Sequence, residues 1–281
     1  AYKHGLCKLG ELQHVGSMFR IGGVDFDRYI EYIKDNPDAF MVQPFSQMSL
    51  EDFIEAYEKG EMINGIGLLP TGRKFQIYNY PRPNIMVAVG SPLAWAKELN
   101  EMFNGLDVDD LTRAEYVVMI AAKNEVNELR EYVPGFENAY VLDTPQAGIR
   151  ETRHFVGEYK FNIIDVLTQR DFEDTIGKGC HPVDIQMPED LENIEDKEHF
   201  YFNIPYRSLV AKDVDNLLIA GRCISATREA SGCTRPTASC MVIGEAAGTA
   251  AALCVKDNVS AARNINIEIL KAQLKKQGAV I

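Results

Sequence analysis

A chain of 281 residues, 46% hydrophobic and 25% charged, has the balance of a folded globular protein and holds one large domain or two ordinary ones. Its 41 Asp and Glu outnumber 29 Lys and Arg, and the resulting net charge of -12 argues against nucleic acid or an anionic membrane as partner. Six cysteines without close metal-type pairing exclude a zinc ribbon or a small disulfide scaffold, and with no secretory or membrane-spanning segment read in the chain they suit a reducing, cytoplasmic compartment.

Residues Ser17 to Asp25 read as a strand ending at the Gly22-Gly23 turn, after which Asp25 caps a helix to about Asp35 with Phe26, Ile30 and Ile33 on one face; Asn36-Pro37 stops it. Ser49 and Asp52 form a capping box for a second helix to Glu58, closed by Lys59-Gly60. Three short runs between Ile63 and Val89 predict a small antiparallel sheet, on which Tyr78, Tyr80 and Arg82 either face a ligand or form the outer face. The longest helix is predicted from Thr112 to Tyr132, with Val117, Ile120, Ala121, Asn124, Val126 and Leu129 along its mainly apolar side and Pro134-Gly135 as its stop.

From Gly148 to Tyr159 the chain reads as a strand. Alternation puts Arg150, Thr152 and His154 on one face and Glu151, Arg153 and Phe155 on the other, so that one face presents arginine and the other buries a Glu–Arg pair. Leu217 to Ala220 is an unbroken apolar run closed by Gly221, as in a strand buried on both faces of a parallel sheet. After a short polar loop Pro236 starts a helix, with Thr234 as its cap. Small residues Cys240, Gly244, Ala247, Gly248 and Ala251 recur along it, so that something can approach its backbone closely. A helix start bare of bulky side chains offers N–H groups and the positive end of a dipole, and Arg222 and Arg235 bracket it with fixed charge. Glu245 and the shortness of the apolar run argue against a membrane span. Cys223 and Cys233 flank the loop as two small buried residues or as a redox pair. The Gly-x-Gly-x-x-Gly turn of dinucleotide folds occurs nowhere; Gly65-Ile-Gly67 is followed by Leu-Leu-Pro-Thr-Gly72, with the wrong spacing and a proline where a helix should begin.

The run Asn216-Leu-Leu-Ile-Ala-Gly-Arg-Cys-Ile-Ser225, then Arg235-Pro236, then Gly244-Glu-Ala-Ala-Gly-Thr-Ala-Ala-Ala252 resembles the C-terminal signature of a family of bacterial FAD-dependent oxidoreductases. Leu111 to Glu115 and Val133 to Asn138 are similar to the family as well, and the likeness reaches upstream to about Phe19. The resemblance implies an α/β flavoprotein in which residues 1–147 are a mixed helix and antiparallel-sheet substrate or cap domain. Residues 148–281 would be the C-terminal portion of a Rossmann-like FAD-binding domain. It implies FAD as cofactor, held by Gly221, Arg222, Arg235, Pro236, Thr237, Ala238 and Gly244. It also implies hydride transfer to or from a small organic substrate, with Arg150, Arg153 and Arg235 near the flavin ring and Tyr206 and Arg207 as supporting wall. The family usually carries a His where Gln186 stands, and His181 lies at the wrong offset to replace it. In the family the missing glycine-rich turn lies N-terminal to everything matched here, which makes a fragment that is inactive alone the expected reading. A non-catalytic binding module on the same scaffold, or one subunit of a split enzyme, is the alternative. An unpaired edge at Leu217 to Ala220 would favour a homo-oligomer.

Overall fold

The computed structural model describes residues 2–4, 15–41, 48–79, 84–90, 103–144, 146–185 and 200–281. The chain divides into two units, residues 14–149 and residues 1–13 with 150–281. Tyr80, Arg82, Cys7 and Gln186 lie outside the described residues.

In the unit of residues 14–149, strands β2 (Ser17–Gly22), β3 (Phe40–Met41), β4 (Asn64–Leu68), β5 (Lys74–Asn79), β6 (Ile85–Gly90) and β7 (Tyr140–Asp143) form one antiparallel sheet in the order β3-β4-β5-β6-β2-β7. The register pairs Phe19 with Ala88 and Ile21 with Val141, and alternation buries Phe19 and Ile21. The same unit holds helix α1 (Phe26–Asp35), where Asp25 accepts from the Arg28 N–H at 3.1 Å, and helix α2 (Leu50–Glu58), where Ser49 and Asp52 complete the capping box. Phe136 anchors this core, its ring 5.6 Å from Tyr29 and 6.1 Å from Phe75 in edge contacts.

Helix α3 (Val108–Tyr132) begins four residues ahead of the predicted start, because Asp107 accepts from the N–H groups of Asp109 and Asp110 and acidic residues suit the first turn. Its buried residues are Ala114, Val118, Ala121, Ala122, Glu125, Val126 and Leu129, while Ile120 is exposed. Of the predicted face, Ala121, Val126 and Leu129 are buried, Val117 and Asn124 are half-buried and Ile120 is exposed; the small residues Ala114 and Ala122 and the charged Glu125 take the places that weight on large apolar residues overlooks.

The other unit contains β1 (Tyr2–His4) antiparallel to β8 (Arg153–Phe155), and β9 (Thr175–Gly179) antiparallel to β10 (Phe202–Pro205). Its helices are α4 (Ile163–Leu167), α5 (Arg228–Thr234), α6 (Thr237–Lys256) and α7 (Ile267–Lys276). Phe161, Ile176, Phe202, Ile204, Ile243 and Leu270 form the core. Gly177 on β9 is where α6 comes closest: a Cβ there would stand 2.3 Å from Val242 Cγ1.

Two expectations fail here for the same reason. Leu217 to Ala220 is no strand buried on both faces. Leu218 makes an isolated antiparallel bridge to Val210, the Ile219 N–H reaches the Leu209 carbonyl at 2.9 Å, and Leu217 is exposed. A strand is defined by neighbours on its flanks, and among the described residues no parallel strand pairs with this run. The polar loop after it is helix α5, capped by Thr227, and Thr234 ends that helix rather than capping the next. Helix α6 is long and apolar enough to cross a membrane, so length does not decide the matter; Ile243, Ala246 and Ala250 pack in the unit's core instead.

Candidate functional site

Pro236, at φ -61° and ψ 154°, turns the chain from α5 into α6 and stands as the N-cap of α6. Its side chain accepts nothing, so the first N–H groups of α6 have no side-chain cap, and Thr237 and Ala238 are exposed. The turn Gly221–Cys223 packs against α6, and Gly221 takes φ +73°, a conformation that favours glycine, with nothing within 4 Å of a Cβ built on it. The Arg222 charge is felt at the Cys240 thiol in the first turn of α6. Gly244 lies exposed farther along the same helix, also with open space where a Cβ would stand. Of the residues predicted to hold the cofactor, Pro236, Thr237 and Ala238 stand at the start of α6 with the Gly221–Cys223 turn packed against the helix, while Gly244 lies about two turns farther along it.

Arg235 is the C-cap of α5, and its side chain is 12% exposed. Its Nη2 donates to the Asp184 carbonyl at 2.9 Å and pairs with the Asp184 carboxylate at 2.5 Å. Arg150 stands beside this pair. Burial first, and then the charge of Arg235, bring its guanidinium down to about 10, while Asp184 opposes the shift. Arg150 thus stays charged at neutral pH. Arg153 is not brought into this group: it is exposed on β8, on the side opposite buried His154.

Glu151 is buried as predicted, but its ionic partner is Arg228 of α5 at 3.5 Å. The predicted strand shrinks to Arg153–Phe155, so alternation does not carry back to residues 150–152. His154 is 3% exposed, and neither ring nitrogen has a hydrogen-bond partner; burial holds its pKa below the ordinary value and the ring neutral.

Tyr206 and Arg207 line a different feature, a cavity of about 580 Å³ shared with Glu158, Arg170, Asp174 and Arg263. There Arg207 makes a two-pronged pair with Asp174, at 2.9 and 3.1 Å, and the Tyr206 hydroxyl donates to the Ala262 carbonyl at 3.0 Å. None of Arg150, Arg153 and Arg235 lines it. Tyr78 accepts from the Gln76 amide at 2.8 Å in the sheet of the first unit. The His181 Nδ1 donates to the Pro182 carbonyl at 2.8 Å. Cys223 and Cys233 are free thiols; Cys233 is fully buried and its thiol is pushed up to about 12 by burial, which leaves it unreactive.

Sequence reasoning misses Asp184, and it places Thr234 as a helix cap and His154 on a strand face with Arg150. Asp184 sits in Gly179 to Pro188, the stretch that departs from the family pattern, which was the available signal.

No curated protein and no solved structure matches the chain. A family model described as FAD dependent oxidoreductase matches residues 3–274. That span covers both units, from β1 into α7. The chain therefore belongs to the FAD dependent oxidoreductase family, and the family implies an FAD cofactor.

Proposed function

We propose that this chain supplies the flavin-facing part of an enzyme that passes hydride between FAD and a small organic substrate. The observation that carries the reading is the start of α6: a long helix without a side-chain cap, beside a positive-φ glycine and a buried arginine. The residues present fit the cofactor. Thr237 and Ala238 offer backbone N–H groups, Arg222 and Arg235 offer positive charge, Pro236 fixes the entry of the helix, and Gly221 and Gly244 leave room for close approach.

FAD, when bound, supplies the redox chemistry. Arg150 and Arg235 supply fixed charge beside it, already paid for by the fold, that stabilises negative charge developing on the substrate or on reduced flavin. The unit of residues 14–149 serves as substrate or cap domain. The glycine-rich pyrophosphate turn occurs nowhere in these residues, so we assign it to another stretch of polypeptide, on the same chain or a companion chain.

Reconstitution tests this. The 281 residues alone should retain little FAD through a desalting column, and should become yellow and stoichiometrically loaded once polypeptide carrying the glycine-rich turn is supplied. Tight loading of the 281 residues alone overturns the assignment of a missing half. No flavin retained in either preparation overturns the flavin reading itself.

A further inference from the structure

The cavity of about 580 Å³ in residues 150–281 is lined by none of the residues assigned above to the cofactor, and its size suits a small-molecule ligand. It is built by the stretch ahead of β9, by the turn Tyr206–Ser208 after β10 and by the start of α7. Phe172, Tyr206 and Val210 are buried and Ile267 is half-buried, which gives part of the lining an apolar character. The Tyr206 hydroxyl is already spent on the Ala262 carbonyl. Lys271 ties two of the walls together, since its Nζ donates to the Glu173 carbonyl at 3.2 Å and lies 3.3 Å from the Glu268 carboxylate.

The charged part of the lining carries five carboxylates, Glu158, Asp171, Glu173, Asp174 and Glu268, against three guanidiniums, and each guanidinium already holds an acid. Arg207 is gripped by Asp174 at 2.9 and 3.1 Å, Arg263 by Glu158 at 2.6 Å and Asp215 at 3.2 Å, and Arg170 by Asp165, outside the lining, at 3.1 Å. An anion would have to break one of these pairs. On the acidic side there is capacity left over: Asp171 and Glu173 are exposed and form no ion pair among the described residues, and Glu173 adds only weakly to the charge around Arg207, whose main acid is Asp174. Surplus carboxylate beside apolar surface is complementary to a cation with an apolar body. A metal ion does not answer to it, because no group of three or more residues able to hold one occurs among the described residues.

We propose that this cavity binds a small organic ammonium ion, with its apolar body against Phe172, Val210 and Ile267 and its charge at Asp171 and Glu173. The site is separate from the one read as flavin-facing, and the proposal does not rest on that reading.

Calorimetric titration of the purified chain at fixed, low ionic strength tests it, with methylamine, butylamine and hexylamine as a series and hexanol and hexanoate as neutral and anionic counterparts. Hexylamine should bind one to one, and each methylene that becomes buried should tighten the series by about fourfold. Hexanol and hexanoate should bind about tenfold more weakly than hexylamine, or worse. The double variant Asp171→Asn with Glu173→Gln, at exposed positions that the fold does not depend on, should bring hexylamine to the level of hexanol, and Ile267→Ala should flatten the dependence on chain length. Equal binding of hexylamine and hexanol overturns the proposal, as does equal binding of hexylamine and methylamine, which would mean attraction to the acidic surface alone. An unchanged affinity in the double variant also overturns it. Tighter binding of a blocked lysine tripeptide than of hexylamine would assign the cavity to a protein partner and overturn the small-molecule reading. Should Ile267→Ala lose cooperative unfolding, the parent's chain-length series and the double carboxylate variant decide the matter.

Discussion

Each unit holds a largely dehydrated cluster of three charged side chains, and the two clusters are built with opposite signs. In residues 14–149 one guanidinium, Arg73, faces two carboxylates, Glu125 and Glu128, with Thr71 donating to Glu128 at 3.2 Å. In residues 150–281 two guanidiniums, Arg150 and Arg235, face one carboxylate, Asp184. The acidic cluster has its own remedy. Burial pushes Glu125 up to about 7 against the pull of Arg73, so the carboxyl can take up a proton near neutral pH and reduce the surplus charge. Arginine has no such exit at neutral pH. One cluster can shed its surplus charge by protonation; the other keeps its arginines charged.

The comparison can be broken most forcefully at the core that keeps Glu125 dry. Phe136 is fully buried in the same core as Val126 and Leu129, and Phe136→Ala should cost about 3–5 kcal/mol, read as a fall in the urea midpoint. An unchanged midpoint would mean that this core does not enforce the burial.

Next in size is the proton itself. Glu125 has a folded pKa of about 7 against an ordinary 4.5, so its contribution is fully present below 4.5 and is lost as pH rises to about 7, because the folded protein there holds a proton that the unfolded chain has released. The loss is on the order of 3 kcal/mol. Urea titrations from pH 4 to 8 should show this decline in the parent and a flatter profile in Glu125→Gln. The same slope in both would assign the pH dependence to another group.

The basic cluster should answer in catalysis rather than in stability with pH. Arg150→Met and Arg235→Met in FAD-loaded protein are each expected to slow flavin reduction by on the order of a hundredfold, about 2.7 kcal/mol. Arg153→Met, at an exposed position on β8, should have a far smaller effect. Single-turnover absorbance with FAD occupancy checked decides it, and parent rates in all three variants would move the chemistry to other residues.

The smallest effect sharpens the description of the turn beside α6. Gly221→Ala meets no atom within 4 Å, so its cost of about 1 kcal/mol should come from the positive φ alone. A thermal scan measures it, and no loss of stability would show that the turn relaxes freely.

Local signals were legible along the chain because they act over a few residues. The Asp25 cap, the Ser49 and Asp52 capping box, the antiparallel runs between Ile63 and Val89 and the stop of α3 after Tyr132 are all set by contacts within about one turn or one hairpin. The family was legible too, from blocks whose order the matched span of 3–274 contains. What depended on distant partners was not. Leu217 to Ala220 has the composition of a buried strand, yet without flanking strands among the described residues it stays an irregular, half-exposed segment. Glu151 pairs with Arg228, 77 positions away, a partner that strand alternation does not indicate. Arg235 was singled out by its place at a helix start, but its pairing with Asp184 and its neighbour Arg150 arise only when α5, the stretch after β9 and the approach to β8 are packed together. Sequence alone determined which groups are charged, where helices begin and which family the chain belongs to; tertiary structure decided which of those charges lose their water, because dehydration depends on neighbours that the order of residues does not place.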